Sequence, residues 1–176
     1  GDVYKRQTIN GAALATPVFL SLYAENDLRL DKYFAETDEK GFRKNKKAGS
    51  NNYLCTFRVG EIYLTAAEAA ARLGELSQAR TRLLELMRKR YAPEAYEAKS
   101  VVVNAMDKEA LVQEILDERA RELAFEGHRW FDLRRSTRPR LEKVLDGTRY
   151  VLEENDARYT LAIPKEAIEA NPGLLN

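Results

Sequence analysis

Phe57–Tyr91 reads FRVGEIYLTAAEAAARLGELSQARTRLLELMRKRY, and its spacing decides the fold class. From Arg58 to Leu73, apolar residues recur at intervals of three and four: Val59, Ile62, Tyr63, Ala66, Ala67, Ala70 and Leu73. That is the period of one helix face. Gly74, free to take positive φ, ends this helix. A second helix is expected from about Ser77, its N-cap, to about Tyr91, with Ala79, Leu83, Leu86 and Met87 inward and Pro93 as its stop. Only Gly74-Glu75-Leu76 joins the two, a connection short enough to impose an antiparallel hairpin.

The same hairpin fits the tetratricopeptide pattern of helix packing. Tyr63 takes the first aromatic position, Ala66, Ala67 and Ala70 the small ones that let helices approach, and Ala79 and Leu83 the second-helix contacts. Pro93 lies two residues beyond the usual terminal proline. One such unit is visible, and these units need about three neighbours to cover their faces.

Working outward, a third and longest helix is expected from Lys108, after an Asp107 N-cap, to about Glu126. Its row Val112, Leu116, Ala120 and Ala124 is flanked by Leu111, Ile115 and Leu123. Gly127 breaks it, and a short helix over 128–135 follows. The period then changes to two: Arg149–Leu152 and Arg158–Leu161 flank Glu154-Asn155-Asp156-Ala157 as a β-hairpin, with Tyr150 and Tyr159 as cross-strand partners. Pro164 starts a last short helix. Upstream, 23–31 has room for a short helix, and 37–53 is rich in the turn formers Gly41, Gly49, Ser50, Asn51 and Asn52. The expected fold is mainly α, tetratricopeptide-like helix hairpins with a small C-terminal β-hairpin. Residues 8–176 are read as one domain: loop-rich over 8–56, helical over 57–135, hairpin and tail over 136–176. Residues 1–7, GDVYKRQ, have no apolar core and read as a fragment edge or scar, so the chain is expected to be incomplete.

Bulk composition excludes several functions. The 176 residues carry 29 Lys and Arg against 28 Asp and Glu, so no net field recruits nucleic acid or an anionic membrane. The basic stretch Arg43-Lys44-Asn45-Lys46-Lys47 reads as a solvated loop. One cysteine, Cys55, allows no intrachain disulfide, and with one histidine it leaves too few ligands for a zinc site. No stretch approaches the ~20 apolar residues of a membrane span.

The densest chemistry lies in Glu118–Arg135, ERARELAFEGHRWFDLRR. Glu118, Glu122 and Glu126 share a face at intervals of four, Arg119 and Arg121 stand beside them, and Arg129 follows Glu126 at i+3. Two of these glutamates are a formal match for a glycosidase pair. Carboxylates beside arginines are held ionised, however, which suits a structural ion-pair network of Glu118, Arg119, Glu122, Glu126, Arg129 and Asp132 better than proton transfer. His128 and Asp132 stand at i,i+4, yet no second ligand for a metal and no G-x-S-x-G elbow for a triad accompanies them. Trp130, between apolar neighbours, reads as core. Among nine tyrosines, Tyr53, Tyr91 and Tyr96 lie in or beside loops, where a flat amphipathic ring can stack on a ligand. No catalytic residue, metal or cofactor is assigned.

The Glu118–Arg135 run closely resembles the signature near the C-terminus of SusD/RagB-family proteins. Three further pieces occur in the family's order. Tyr23–Phe34, YAENDLRLDKYF, is similar to its asparagine-aspartate-x-arginine segment; Phe57–Ala71 resembles its helix with Glu-x-Tyr-Leu and Ala-Glu-Ala; Ile163–Glu166 with Asn171–Leu174 resembles its closing stretch. The resemblance spans about 20–176. It implies tetratricopeptide-like helix pairs, a signature run that is structural, and a non-catalytic lipoprotein on the outer-membrane cell surface. Such a protein captures an oligosaccharide or other nutrient and lids a SusC-like TonB-dependent transporter. A lipid anchor and most of the family's N-terminal ligand contacts are expected to lie outside this chain, since Cys55 is mid-chain. Two rivals stand against that reading: a glycoside hydrolase using the clustered carboxylates, and a helical-repeat scaffold without a ligand.

Overall fold

Alanine spacing and a glycine stop produce the two helices they call for, but the second starts at Leu76 behind Glu75, which leaves Ser77 inside it and not at its cap, and it ends at Met87 and not near Tyr91. In the computed structural model, which describes residues 7–9, 12–47, 58–145, 147–171 and 173, α3 runs Val59–Leu73 and α4 Leu76–Met87. The earlier elements are β1 (Gln7–Ile9), β2 (Ala12–Ala15), α1 (Pro17–Leu20), α2 (Arg29–Tyr33), β3 (Phe34–Thr37) and β4 (Arg43–Asn45). Gly74 closes α3 at φ 85°, donating to Ala71 while Glu75 N–H donates to Ala70 at 2.9 Å, so both freed carbonyls are satisfied. The buried stripe is offset from the expected one. Gly60, Leu64, Ala67, Ala70 and Ala71 face inward, whereas Val59, Ile62 and Leu73 are exposed. α3 packs on both α4 and α6 (Lys108–Glu122), and two partners select the small residues on its flank over the largest apolar ones. On α4 the expected residues, Ala79, Leu83, Leu86 and Met87, are all buried.

Pro93 does not only end a helix; it begins one. α5, Pro93–Ala105, was not expected from the sequence, and proline at its first position suits a locked φ with no N–H to satisfy. Asp107 caps α6 as expected, its carboxylate accepting from Ala110 N–H at 2.9 Å. α6 stops four residues short of the expected end. Leu123 leaves helical geometry and Phe125 sits at φ 64°. The Lys47 ammonium donates to the carbonyl of Glu122, one of the acceptors the helix end leaves free, and to that of Ala124 just beyond it.

The chain divides into two compact units, up to Trp130 and from Phe131 on. In the first, one core gathers Leu64, Ala67, Leu83, Met87, Val103, Leu111 and Ile115 from α3 to α6. A second packs Ala15, Phe19, Tyr23, Phe34 and Ala124, with Phe125 edge-on to Phe19 and Phe34 at centroid distances of 5.9 and 6.0 Å. A four-stranded antiparallel sheet in the order β1-β2-β4-β3 lies in the stretch read as loop; its strands are three or four residues long, too short to show a period.

α7, His128–Arg135, has the expected bounds. In the second unit the hairpin is displaced by one strand. β5 (Leu141–Leu145) pairs with β6 (Thr148–Leu152), from Leu141 opposite Leu152 to Leu145 opposite Thr148. The Asp146-Gly147 pair between them is itself a strong hairpin signal. The expected second strand is instead a 3-10 turn, Ala157–Tyr159, capped by Asp156. Tyr150 therefore stands opposite Lys143, and Tyr159 is fully buried, its hydroxyl donating to the Pro139 carbonyl. α8 follows at Lys165–Ala170, directly after Pro164.

Candidate functional site

Arg29 opens α2 and is 1% exposed, a position a guanidinium holds only when every donor is occupied. Its Nε and Nη2 donate to the two Asp27 oxygens at 2.9 and 2.8 Å, and its Nη1 to Glu118 at 2.7 Å and Glu122 at 3.2 Å. Tyr91 and Tyr23 place their rings 5.4 and 5.9 Å from the guanidinium carbon. Glu118 and Glu122 come from one face of α6 and are both fully buried. Arg121 donates to Glu118 at 2.7 Å. Arg90, beyond the end of α4, grips Glu122 with two parallel bonds of 2.8 and 2.9 Å, and Arg58, preceding α3, adds a third cation at 3.0 Å. Arg58 and Lys47 also hold Glu126. Asp27, the arginines and α6 thus tie α2, α3, the α4 end and α6 to one knot of charge.

Charge balance sets the protonation states. Burial pushes the Glu118 carboxyl up, but Arg29 and Arg121 overcome it and hold it at about 2. Glu122 is lowered in the same way, with Arg90 its chief counterweight to burial. Burial lowers Lys47 to about 8 despite Glu126. The phenols of Tyr23 and Tyr91 are pushed up by burial, and both act as donors: Tyr23 to the Arg121 carbonyl at 2.7 Å, Tyr91 to Glu118 at 3.2 Å. A glycosidase acid needs a carboxyl raised enough to carry a proton at working pH. Both of these are driven the other way and closed off from solvent. The arrangement clamps elements together and has no proton to give. Among the described residues, no group of His, Cys, Asp and Glu is placed to hold a metal ion.

Gly60 shows how closely the layers approach. A Cβ there would meet the Glu122 carboxylate, with Oε1 at 2.8 Å and Cδ and Cγ at 3.2 Å.

The motif pieces read from the sequence thus converge on one cluster: the Asn26-Asp27-x-Arg29 segment, the Arg58 helix and the Glu118–Glu126 run. A family model described as the SusD family matches residues 3–176. The chain belongs to the SusD family. A solved structure described as a SusD-like carbohydrate binding protein from Bacteroides vulgatus is similar over 97% of this chain and 43% of its own, with 19% identity and a TM-score of 0.61. At that identity the likeness is one of fold, and the fold shared is mainly α. The chain spans less than half the length of that neighbour. No curated protein matches it.

The expected site residues of this SusD-family chain separate. Glu118, Glu122 and Glu126 meet in the cluster, and Arg121, named only as a neighbour in the run, is inside it. Arg119 instead reaches Thr65 at 3.2 Å and Glu61 at 3.9 Å, and Arg129 the Leu116 carbonyl. Asp132 binds Arg135 at 2.7 Å. Of the ligand-stacking tyrosines, Tyr53 lies outside the described residues. Tyr91 is 2% exposed, so its ring offers no face to a ligand; it stands opposite Asp27 in an isolated bridge that draws it inward. Tyr96, on α5, is half-buried at a groove also lined by Tyr63 and Leu84. Arg29 and Arg90 carry the cluster, and both lie outside the network expected from the Glu118–Arg135 run. The signal for Arg29 was the Asn-Asp-x-Arg segment; Arg90 had none beyond its place in a basic triplet.

Proposed function

We propose that this chain is part of a non-catalytic nutrient-binding protein that takes up a glycan at the outer-membrane surface alongside a SusC-like TonB-dependent transporter. The observation that carries this reading is the family match across almost the whole chain, residues 3–176. The description of the Bacteroides vulgatus neighbour as carbohydrate binding supports a glycan as the nutrient. Against a hydrolase stand Glu118 and Glu122, buried, held ionised and consumed by arginines. Their role here is structural, with Arg119, Arg129 and Asp132 fastening the neighbouring turns. No helix among the described residues is long and apolar enough to cross a membrane, and a lipid anchor elsewhere in the protein would supply attachment.

A glycan array and titration calorimetry on the intact protein test the reading, together with a chromogenic glycoside panel and affinity purification from outer membranes. Binding of a glycan without turnover, with a TonB-dependent transporter in the eluate, is the expected result. Hydrolysis that disappears in Glu118→Gln would establish the enzyme instead. Failure of every glycan to bind, with the transporter still retained, would leave a scaffold.

A further inference from the structure

The outer side of the α3–α4–α5 layer carries a groove of about 450 Å³, inside the usual range for small-molecule sites. Tyr63 from α3 and Tyr96 from α5 form its aromatic part, and Leu84 from α4 its apolar floor. All three pack partly against the core, which fixes their orientation, yet each keeps surface in the groove. Neither tyrosine hydroxyl bonds to any described residue, so each half-buried ring brings apolar surface and an unused polar edge to the groove. Fixed amphipathic rings of this kind suit a pyranose, apolar on one face and hydroxylated at its rim.

Charge narrows the ligand. Arg88, Lys89 and Arg90 follow one another at the end of α4. Arg90 turns inward to Glu122 with two bonds. Arg88 and Lys89 turn to the groove, are exposed, and form no ion pair among the described residues. The carboxylate lining the groove is Glu85, and Arg82 stands 3.7 Å from it. A cation near a helix C-terminus is favoured by the helix dipole alone. That accounts for one basic residue at this end; it does not account for two fixed tyrosines with unused hydroxyls beside a pair of unpaired cations. A neutral sugar would leave both cations unmatched, whereas a uronate or sulfate gives the Arg88 fork a planar or tetrahedral anion to hold.

We infer that this groove is a subsite for an acidic glycan, its anionic group between Arg88 and Lys89 and its ring against Tyr96 and Tyr63. The inference rests on the nutrient-binding function proposed above and names a ligand class for it. The test is calorimetry on the intact protein at low salt, with tetragalacturonate and a chondroitin sulfate tetrasaccharide as acidic probes and maltotetraose as the neutral one. One acidic probe binds at least roughly tenfold tighter than maltotetraose, and tightness falls as salt is raised. Arg88→Ala with Lys89→Ala weakens it by roughly tenfold or more and flattens the salt dependence. Tyr96→Ala weakens it as well, while Tyr96→Phe keeps most of the binding. Because Arg88 and Lys89 are exposed, the double variant melts within about 2 °C of the parent, which separates lost binding from lost fold. Preference for maltotetraose, or acidic binding that survives the double variant, overturns the inference and leaves the proposed function standing. So does a double variant that binds glycans normally but no longer retains the transporter, since the groove is then a protein interface. An intact protein that binds nothing on the array removes both.

Discussion

Arg29 joins three buried carboxylates of the first unit. A lone guanidinium taken from water costs several kcal/mol, and here Asp27, Glu118, Glu122 and two aromatic rings offset that cost. Removing one member leaves the others buried and unmatched. Glu122→Gln strands Arg90, Arg58 and part of Arg29, so its stability falls by roughly 3–5 kcal/mol in denaturant titration. A variant as stable as the parent would show that the cluster is not structural. Gly60→Ala is a sharper probe, because helix propensity alone makes alanine better by about 1 kcal/mol. The added Cβ would press on a carboxylate fixed by three arginines, so the expected outcome is a lower melting temperature, opposite in sign to propensity. Spacing revealed the three glutamates, since they repeat every four residues. It did not reveal their counter-charges, which stand 89, 64 and 32 residues away as Arg29, Arg58 and Arg90, because nothing local marks which arginine will be the partner.

At the level of elements, what could be read was whatever a local rule determines. The α3–α4 hairpin, the Asp107 cap, α7 and the start of α8 follow from period, capping and proline chemistry and appear where those rules put them, apart from the ends of α4, where Ser77 lies inside the helix and Met87 closes it short of Tyr91. The elements missed each had a competing signal. Pro93 signals a helix stop as strongly as a start, which hides α5; Glu154–Ala157 carries turn formers that compete with the true connection between β5 and β6; and β1 to β4 are too short for any pattern. The offset of the α3 face has another origin. Periodicity finds the most apolar row, but packing between α4 and α6 rewards the smallest. The Gly74 cap gives an element-level test, since the space around its Cβ position is open and only its φ of 85° resists a side chain. Gly74→Ala therefore costs about 1–2 kcal/mol by thermal melting, with no change in the far-ultraviolet spectrum of the folded state.

For the molecule as a whole, the buried carboxylates set how it responds to acid. Glu118 titrates at about 2 when folded, against an ordinary value of 4.5, and Glu122 is also lowered. A depressed carboxyl stabilises the folded state above its unfolded value and loses that contribution as pH falls toward the folded one. Stability should hold at neutral pH and decline from about pH 5 toward pH 2, and the decline should be shallower in Glu118→Gln; melting curves across that range read it directly. The same knot also has an order in time. Asp27, Arg29, Arg58 and Arg90 leave the ribosome before α6 exists, so during synthesis three arginines wait with a single aspartate for company. An early collapse that buried Arg29 would strand its positive charge until residues 118–122 arrive, so assembly of the first unit is expected to wait for its last long helix. A chain truncated at Met106 should stay expanded by hydrodynamic radius, although it already contains α3, α4 and nearly all of the apolar residues they bury against each other.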